Sequence, residues 1–143
     1  MTRSILALAL VFLCGVCCIP ASLAANKVSF KGVTPGISTL DDTSRILGKP
    51  VSKIIDGDQT IYKYRFGSIN FPKKTGKIEH IFIYDQSIKD VNGFRVGSKY
   101  SDVKEKLNVN DTGGALFDQG NGILYVFDQE GLVSRIIYGV VAP

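Results

Sequence analysis

Histidine occurs once in this chain, at His80, and all three cysteines, Cys14, Cys17 and Cys18, stand together near its start. His80 alternates with Ile78 and Phe82 in an apolar run, the setting of a packed or surface strand residue more than of a general base. With no second histidine and no cysteine beyond Cys18, the usual zinc sets and a cysteine nucleophile are out of reach of the body of the chain. Serine and aspartate are plentiful, but no Gly-x-Ser-x-Gly elbow occurs to present a serine. Asp41-Asp42 reads as the acidic start of a helix rather than a carboxylate pair. Asp56-Gly57-Asp58 looks like part of a calcium loop but lacks a third ligand and the closing Glu, so it reads as a turn. Gly113-Gly114 and Gly120-x-Gly122 lack the strand-to-helix setting of a phosphate loop. The residues that could do chemistry therefore point away from an enzyme, and they suggest no cofactor and no metal.

Charge offers a different chemistry. Between Gln59 and Lys77 there is no acidic residue, while Lys63, Arg65, Lys73, Lys74 and Lys77 are basic. If a hairpin turns near Pro72, these five gather on one face or rim and form a candidate interaction surface for an acidic protein, an anionic headgroup or an envelope polysaccharide. The plainer reading is a solvated sheet face whose lysines discourage strand-to-strand aggregation. Tyr62, Tyr64 and Phe66 alternate with Lys63 and Arg65; alternation sends them to the opposite face, so they read as core and not as a nucleic-acid stacking platform.

The first 24 residues read as a leader. Arg3 is followed by an uncharged, mostly apolar run from Ile5 to Ile19 and then by Pro20-Ala21-Ser22-Leu23-Ala24, with the small residues Ser22 and Ala24 at the third and first places before the expected cleavage. The run is shorter than the roughly 20 residues needed to span a bilayer. This predicts a signal peptide over residues 1–24 and an exported protein, periplasmic or secreted. Lipidation at Cys17 or Cys18 is the less favoured alternative, because neither stands in the usual lipoprotein context. Cleavage removes every cysteine, so the remaining domain must stand on its hydrophobic core without disulfides. It also removes Arg3, lowering the net charge of +4 by one, too small a surplus to argue for nucleic acid.

The elements that would position any surface show an internal repeat. At an offset of 60, Ser38 meets Ser98, Asp42 meets Asp102 and Leu47 meets Leu107. Leu40, Thr43 and Leu47, and again Tyr100, Val103 and Leu107, form apolar stripes at helical period. Ser38 with Asp41 is the expected cap of the first helix, and Gly48 and Asn108 are the expected stops. Strands are expected over Gln59–Phe66, Ser68–Phe71, Lys77–Tyr84, Ala115–Phe117, Ile123–Phe127 and Leu132–Tyr138, with turns at Asp56–Asp58, Pro72–Gly76, Asp118–Gly122 and Gln129–Gly131. The expected fold is α+β: two tandem helix-plus-antiparallel-strand units, about 33–85 and 94–138, with the helices packed on one face of a sheet and residues 25–143 forming a single compact domain.

Gly36-Ile37-Ser38-Thr39-Leu40-Asp41-Asp42 through Leu47-Gly48-Lys49-Pro50, followed by Tyr62 and Tyr64, resembles the helix start and Leu-Gly-x-Pro pattern of the SmpA/OmlA (BamE)-like envelope proteins. Val96-Gly97-Ser98 reopens the pattern, which is similar to the tandem arrangement of the secreted β-lactamase-inhibitory proteins. The resemblance covers about 33–138 and implies a binding or scaffold protein of the cell envelope, with no family contact residue to carry over. The sequence thus predicts an exported, non-catalytic domain that binds an envelope or secreted protein, with peripheral membrane contact through anionic lipid or glycan as the alternative and a small enzyme third.

Overall fold

The structure, a computed structural model, describes residues 28–107, 109 and 113–139. The expected leader with its three cysteines, and the expected helix stop Asn108, lie outside the described residues. The elements run α1 (Leu40–Leu47), β1 (Ser52–Asp56), β2 (Gln59–Tyr64), β3 (Gly67–Pro72), β4 (His80–Ile83), α2 (Tyr100–Leu107), β5 (Ala115–Asp118), β6 (Ile123–Phe127) and β7 (Val133–Tyr138).

Helix α1 starts one residue later than expected. Thr39 is the cap: its hydroxyl oxygen accepts the Asp42 N–H at 3.2 Å, and the Asp42 carboxylate accepts the Thr39 N–H at 3.1 Å, a reciprocal capping box. Ser38 is not free to cap because its hydroxyl accepts the Thr34 N–H at 2.9 Å and the residue is buried. Gly48 closes the helix at φ +80°, a conformation glycine adopts without strain, and donates its N–H to Ser44 at 3.0 Å. The stripes face inward: Thr43 and Val103 are fully buried, and Leu40, Leu47, Tyr100 and Leu107 pack against the core at partial exposure.

The seven strands form one antiparallel sheet in the order β1-β2-β3-β4-β7-β6-β5. This corrects the expectation of two tandem helix-plus-strand units, and with it the helix-plus-three-strand domain implied by the SmpA/OmlA-like resemblance. The deciding contact is β4 on β7, where Ile81 faces Tyr138, Phe82 faces Ile137 and Ile83 faces Ile136. That pairing makes the strands of both halves into one continuous surface with a shared core. Two helices of 8 residues each, little more than two turns, are too short to form a layer of their own or to define separate units. The repeat survives only locally: Ile78 donates to Ser38 O at 2.9 Å and Val133 to Ser98 O at 2.8 Å, while Gly36 and Gly97 donate back to Ile78 and Val133.

Strand β1 is an addition to the expected set. All five of its residues are exposed, so it lacks the alternation that marks a half-buried strand; the hairpin through Gly57 and Asp58 holds it on β2, with Asp56 opposite Gln59 and Ile54 opposite Ile61. Two expected strands are shorter than the pattern suggested. The run from Gln59 ends at Tyr64, where Arg65 and Phe66 turn the chain. The run from Lys77 becomes a strand only at His80, because Lys77 instead bridges to Thr39 in front of α1.

Candidate interaction face

The turn at Arg65 and Phe66 decides where the five basic residues go. Tyr64 faces Gly67 and Lys63 faces Ser68 at this end of the hairpin, whereas Pro72 faces Gln59 at the other. Lys63 and Arg65 therefore sit together at one end. Lys73 and Lys74 follow Pro72, about 17 Å along β3 at the usual rise per residue; Lys73 donates to Gly57 O at 2.8 Å, and Lys77 lies beside Thr39. The structure places these residues in two groups rather than on one face, because the chain turns both at Arg65–Phe66 and, as expected, after Pro72, and the whole of β3 separates the two turns.

Directly opposed residues of a sheet share a face, so the registers sort every strand residue onto one of two sides. One side carries Tyr62, Ile69, Ile81, Tyr138 and Ile123 across adjacent strands. On it pack the helices and the connecting segments: Phe30 against Phe66 and Tyr138 at 4.9 and 5.6 Å between ring centroids, Phe94 against Tyr125 at 5.7 Å, Tyr100 against Phe127 at 4.9 Å. The other side carries the row Lys63, Ser68, Phe82, Ile137, Leu124, Phe117. Its apolar members lie outside the main core cluster; Phe82, Leu124 and Phe117 are partly exposed, whereas Ile137 and Ser68 between them are buried at 8 and 4%.

This open face has a charged margin. A β-bulge between Val126 and Phe127 in the β6–β7 ladder leaves Ser134 and Arg135 exposed on the bulged strand, with Arg135 opposite Val126 at the end of the sheet that also holds Lys63 and Arg65. Bulges re-aim side chains in this way. Among the described residues the ion pairs are Arg45 with Asp42 at 2.8 Å and His80 with Glu79 at 3.7 Å; neither involves Lys63, Arg65 or Arg135. At the far end, Asn70 donates to Gln59 and Gln59 to Glu79, both at 3.3 Å, beside His80. His80 tilts against Phe82 at 6.1 Å as a member of this polar ladder, with no serine or cysteine within its recorded contacts.

The densest group of titratable side chains lies on the packed side, and the sequence reading missed it. Asp90 accepts the N–H groups of Asn92 and Phe94 at 2.9 and 2.8 Å and the hydroxyl of Tyr125. Asn92 donates to Asp118 at 2.7 Å and to the Tyr125 oxygen at 2.9 Å, and Asn121 also donates to Asp118 at 2.7 Å. Burial pushes the Asp90 carboxyl above its ordinary value against these hydrogen bonds, and burial likewise raises the Tyr125 phenol. Polar atoms here bond to one another rather than outward, so the group acts as a clamp that holds the 90–94 loop on β6 and β5. Asp90 and Tyr125 are 35 residues apart, and no local spacing announces such a pair.

A cleft on the packed side between the end of α1 and the β2–β3 turn is lined by Lys31, Lys49 and Arg65 with Leu47, Val51 and Phe66. Tyr64, also in its wall, has a buried hydroxyl with no hydrogen-bond partner, and burial raises its pKa. Among the described residues no group of three His, Cys, Asp or Glu is placed to hold a metal ion, and no helix is long and apolar enough to cross a membrane.

No protein-family model matches the chain, and no curated protein matches it significantly. The SmpA/OmlA-like and β-lactamase-inhibitory-protein-like resemblance therefore has no support beyond the short motif that suggested it. Among solved structures, an extracellular protein containing a SCP domain from Bacillus anthracis str. Ames is similar over 79% of this chain and 48% of that one, at 11% identity and a TM-score of 0.49. The chain thus spans about half the length of that protein, and a likeness of this degree carries no argument about function.

Proposed function

We propose that the chain is an exported, non-catalytic domain that binds a protein on the open face of its sheet. The observation that carries this reading is the set of partly exposed apolar side chains Phe82, Leu124 and Phe117 around Ile137 on one face, beside Lys63 and Arg135, which make no ion pair among the described residues. Antiparallel sheets ordinarily solvate one face with polar residues; an apolar row there favours a partner that excludes water from it. The margin of Lys63 and Arg135 selects for carboxylates, so the partner is a protein surface that presents an apolar patch rimmed by Asp or Glu. Export rests on the leader-like residues 1–24.

The test uses the chain without its leader as bait in an envelope extract, at low and moderate salt, beside Leu124→Asp, Arg135→Glu and a Lys73→Glu/Lys74→Glu control. A protein retained at both salt levels, lost with the two face variants and kept by the control supports the reading. Retention by all variants would sink it.

A second reading, an anionic lipid or glycan bound peripherally, is favoured by the cleft lined by Lys31, Lys49 and Arg65. Binding of that kind weakens steeply with ionic strength, and it would be abolished by Lys49→Glu/Arg65→Glu while Leu124→Asp left it intact.

A further inference from the structure

Strand β1 closes one edge of the sheet and is exposed along its whole length. Such an edge is normally blunted by a proline, a bulge, an inward charge or a covering loop. Here Val51, Ile54 and Ile55 stand 72, 46 and 63% exposed, and the single lysine within the strand, Lys53, lies back over the Tyr62 ring of its own sheet at 5.7 Å. Because Asp56 and Gln59 close a two-residue hairpin, hydrogen bonding toward β2 alternates along β1, and the N–H and C=O groups of Lys53 and Ile55 face the free edge.

We propose that this edge pairs with the same edge of a second copy of the chain, antiparallel and centred on Ile54. In that register Lys53 of each copy exchanges both backbone hydrogen bonds with Ile55 of the other, which uses every outward group of the strand. Ile54 meets its own counterpart as a closely spaced pair without hydrogen bonds, and Ser52 stands opposite Asp56 of the second copy. Charge chooses the second copy over an unrelated strand. The start of the segment is basic, with Lys49 and Lys53, and its end is acidic, with Asp56 and Asp58, so antiparallel self-pairing brings unlike ends together and parallel pairing brings like ends. On the open face, Lys63 is opposite Ser52 and therefore two strand spacings, about 10 Å between backbones, from Asp56 of the second copy. Only the small Ser52 lies between, and the two side chains together span that gap. Neither Lys63 nor Asp56 has an ion pair among the described residues.

A two-fold axis perpendicular to the sheet relates the copies, so their open faces lie on the same side and the fourteen strands form one surface. Lys63 then serves the junction, leaving Arg135 to any partner on the face. The pairing stands independently of the partner reading above. Five residues of edge contribute less area than a standard interface, so the dimer is expected to be reversible and concentration-dependent.

Sedimentation velocity on the chain without its leader, from about 1 µM to about 1 mM, reads this out. The expected result is a shift from the monomer to twice its mass; a monomer throughout overturns the proposal. Ile54→Lys, at an exposed edge position that leaves the circular-dichroism spectrum unchanged, should weaken the dimer at least about tenfold, and a dimer indifferent to it places the interface elsewhere and overturns the edge. Asp56→Lys should weaken dimerisation about tenfold by setting it against Lys63, and Asp56→Lys with Lys63→Asp should restore it; failure of the swap to restore it overturns the register.

Discussion

Ile81 and Phe82 are neighbours in β4, yet they work in different surroundings. Ile81 is fully buried under the elements that cover one side of the sheet, while Phe82 stands partly exposed on the other side, outside the main core cluster. The packed side supplies most of the stability of the fold, and the open side keeps Phe82, Leu124 and Phe117 partly exposed around the buried Ile137. An apolar row of that kind is what the proposed partner surface would cover.

That contrast can be broken or sharpened by substitution. The largest effect is expected where both sides depend on one backbone approach. Gly67 sits at φ +154°, and an added Cβ would stand 1.8 Å from Phe82 O, so Gly67→Ala must part β3 from β4 at a cost of about 4 kcal/mol; urea unfolding measures it. Next, Ile81→Ala should cost about 3 kcal/mol through cavity formation, whereas Phe82→Ala, one position along, should cost about 1 kcal/mol. Equal losses in the two melts would erase the distinction between the faces.

The Asp90 clamp gives the third effect. Asp90→Ala strands the Asn92 and Phe94 N–H groups and should cost about 2 kcal/mol, while Asp90→Asn keeps an acceptor for both and should cost less than about 1 kcal/mol at neutral pH. Because burial raises the Asp90 pKa in the folded state, the folded chain holds that proton more tightly than the unfolded chain. The contribution is present below the ordinary carboxylate value of 3.8 and is lost as pH rises through the elevated folded value. Stability measured from pH 3 to 7, each value taken as about the working range, should lose that falling component in Asp90→Asn. An unchanged slope would mean that another group carries it. Fourth, Thr39→Ala removes the capping box and should cost about 1 kcal/mol, by thermal melting. Smallest is Leu124→Asp on the open face, which should shift stability by no more than about 0.5 kcal/mol while abolishing partner retention, the combination that separates a contact residue from a structural one.

The sequence carried the local patterns well and the long-range ones poorly. Apolar stripes through Thr43 and Val103, the turn at Gly57, and β6 over Ile123–Phe127 follow from spacing alone, because each is set by neighbours within a few residues. Strand β1 was silent because exposure on both faces leaves no periodicity; the Asp56-Gly57-Asp58 turn ahead of a clear strand was the only signal that a hairpin arm preceded it. The cap moved from Ser38 to Thr39 because Ser38 already serves Thr34, a bond that composition does not reveal. The repeat at an offset of 60 marked two similar helix starts, and reading it as two units failed because β4 and β7 pair across the halves. For the candidate site, Lys63 and Arg65 were legible as charges, but separating them from Lys73, Lys74 and Lys77 required knowing that the chain also turns at residues 65–66, which puts the whole of β3 between the two groups. Arg135 went unnoticed because only the bulge aims it at the face.

The position of β7 in the sheet has a consequence for how the molecule is made. It is the last described strand in chain order and yet lies inside the sheet, between β4 and β6. Until it is present, β4 and β6 are both open edges, and the two halves of the core have no common backbone ladder. The one ladder that joins the two halves, β4 on β7, therefore cannot form before the last of the described strands is available, and such non-local pairing is slow to form. The two hairpin-built halves of the sheet can thus form separately, and the sheet locks into one surface only when β7 inserts between β4 and β6.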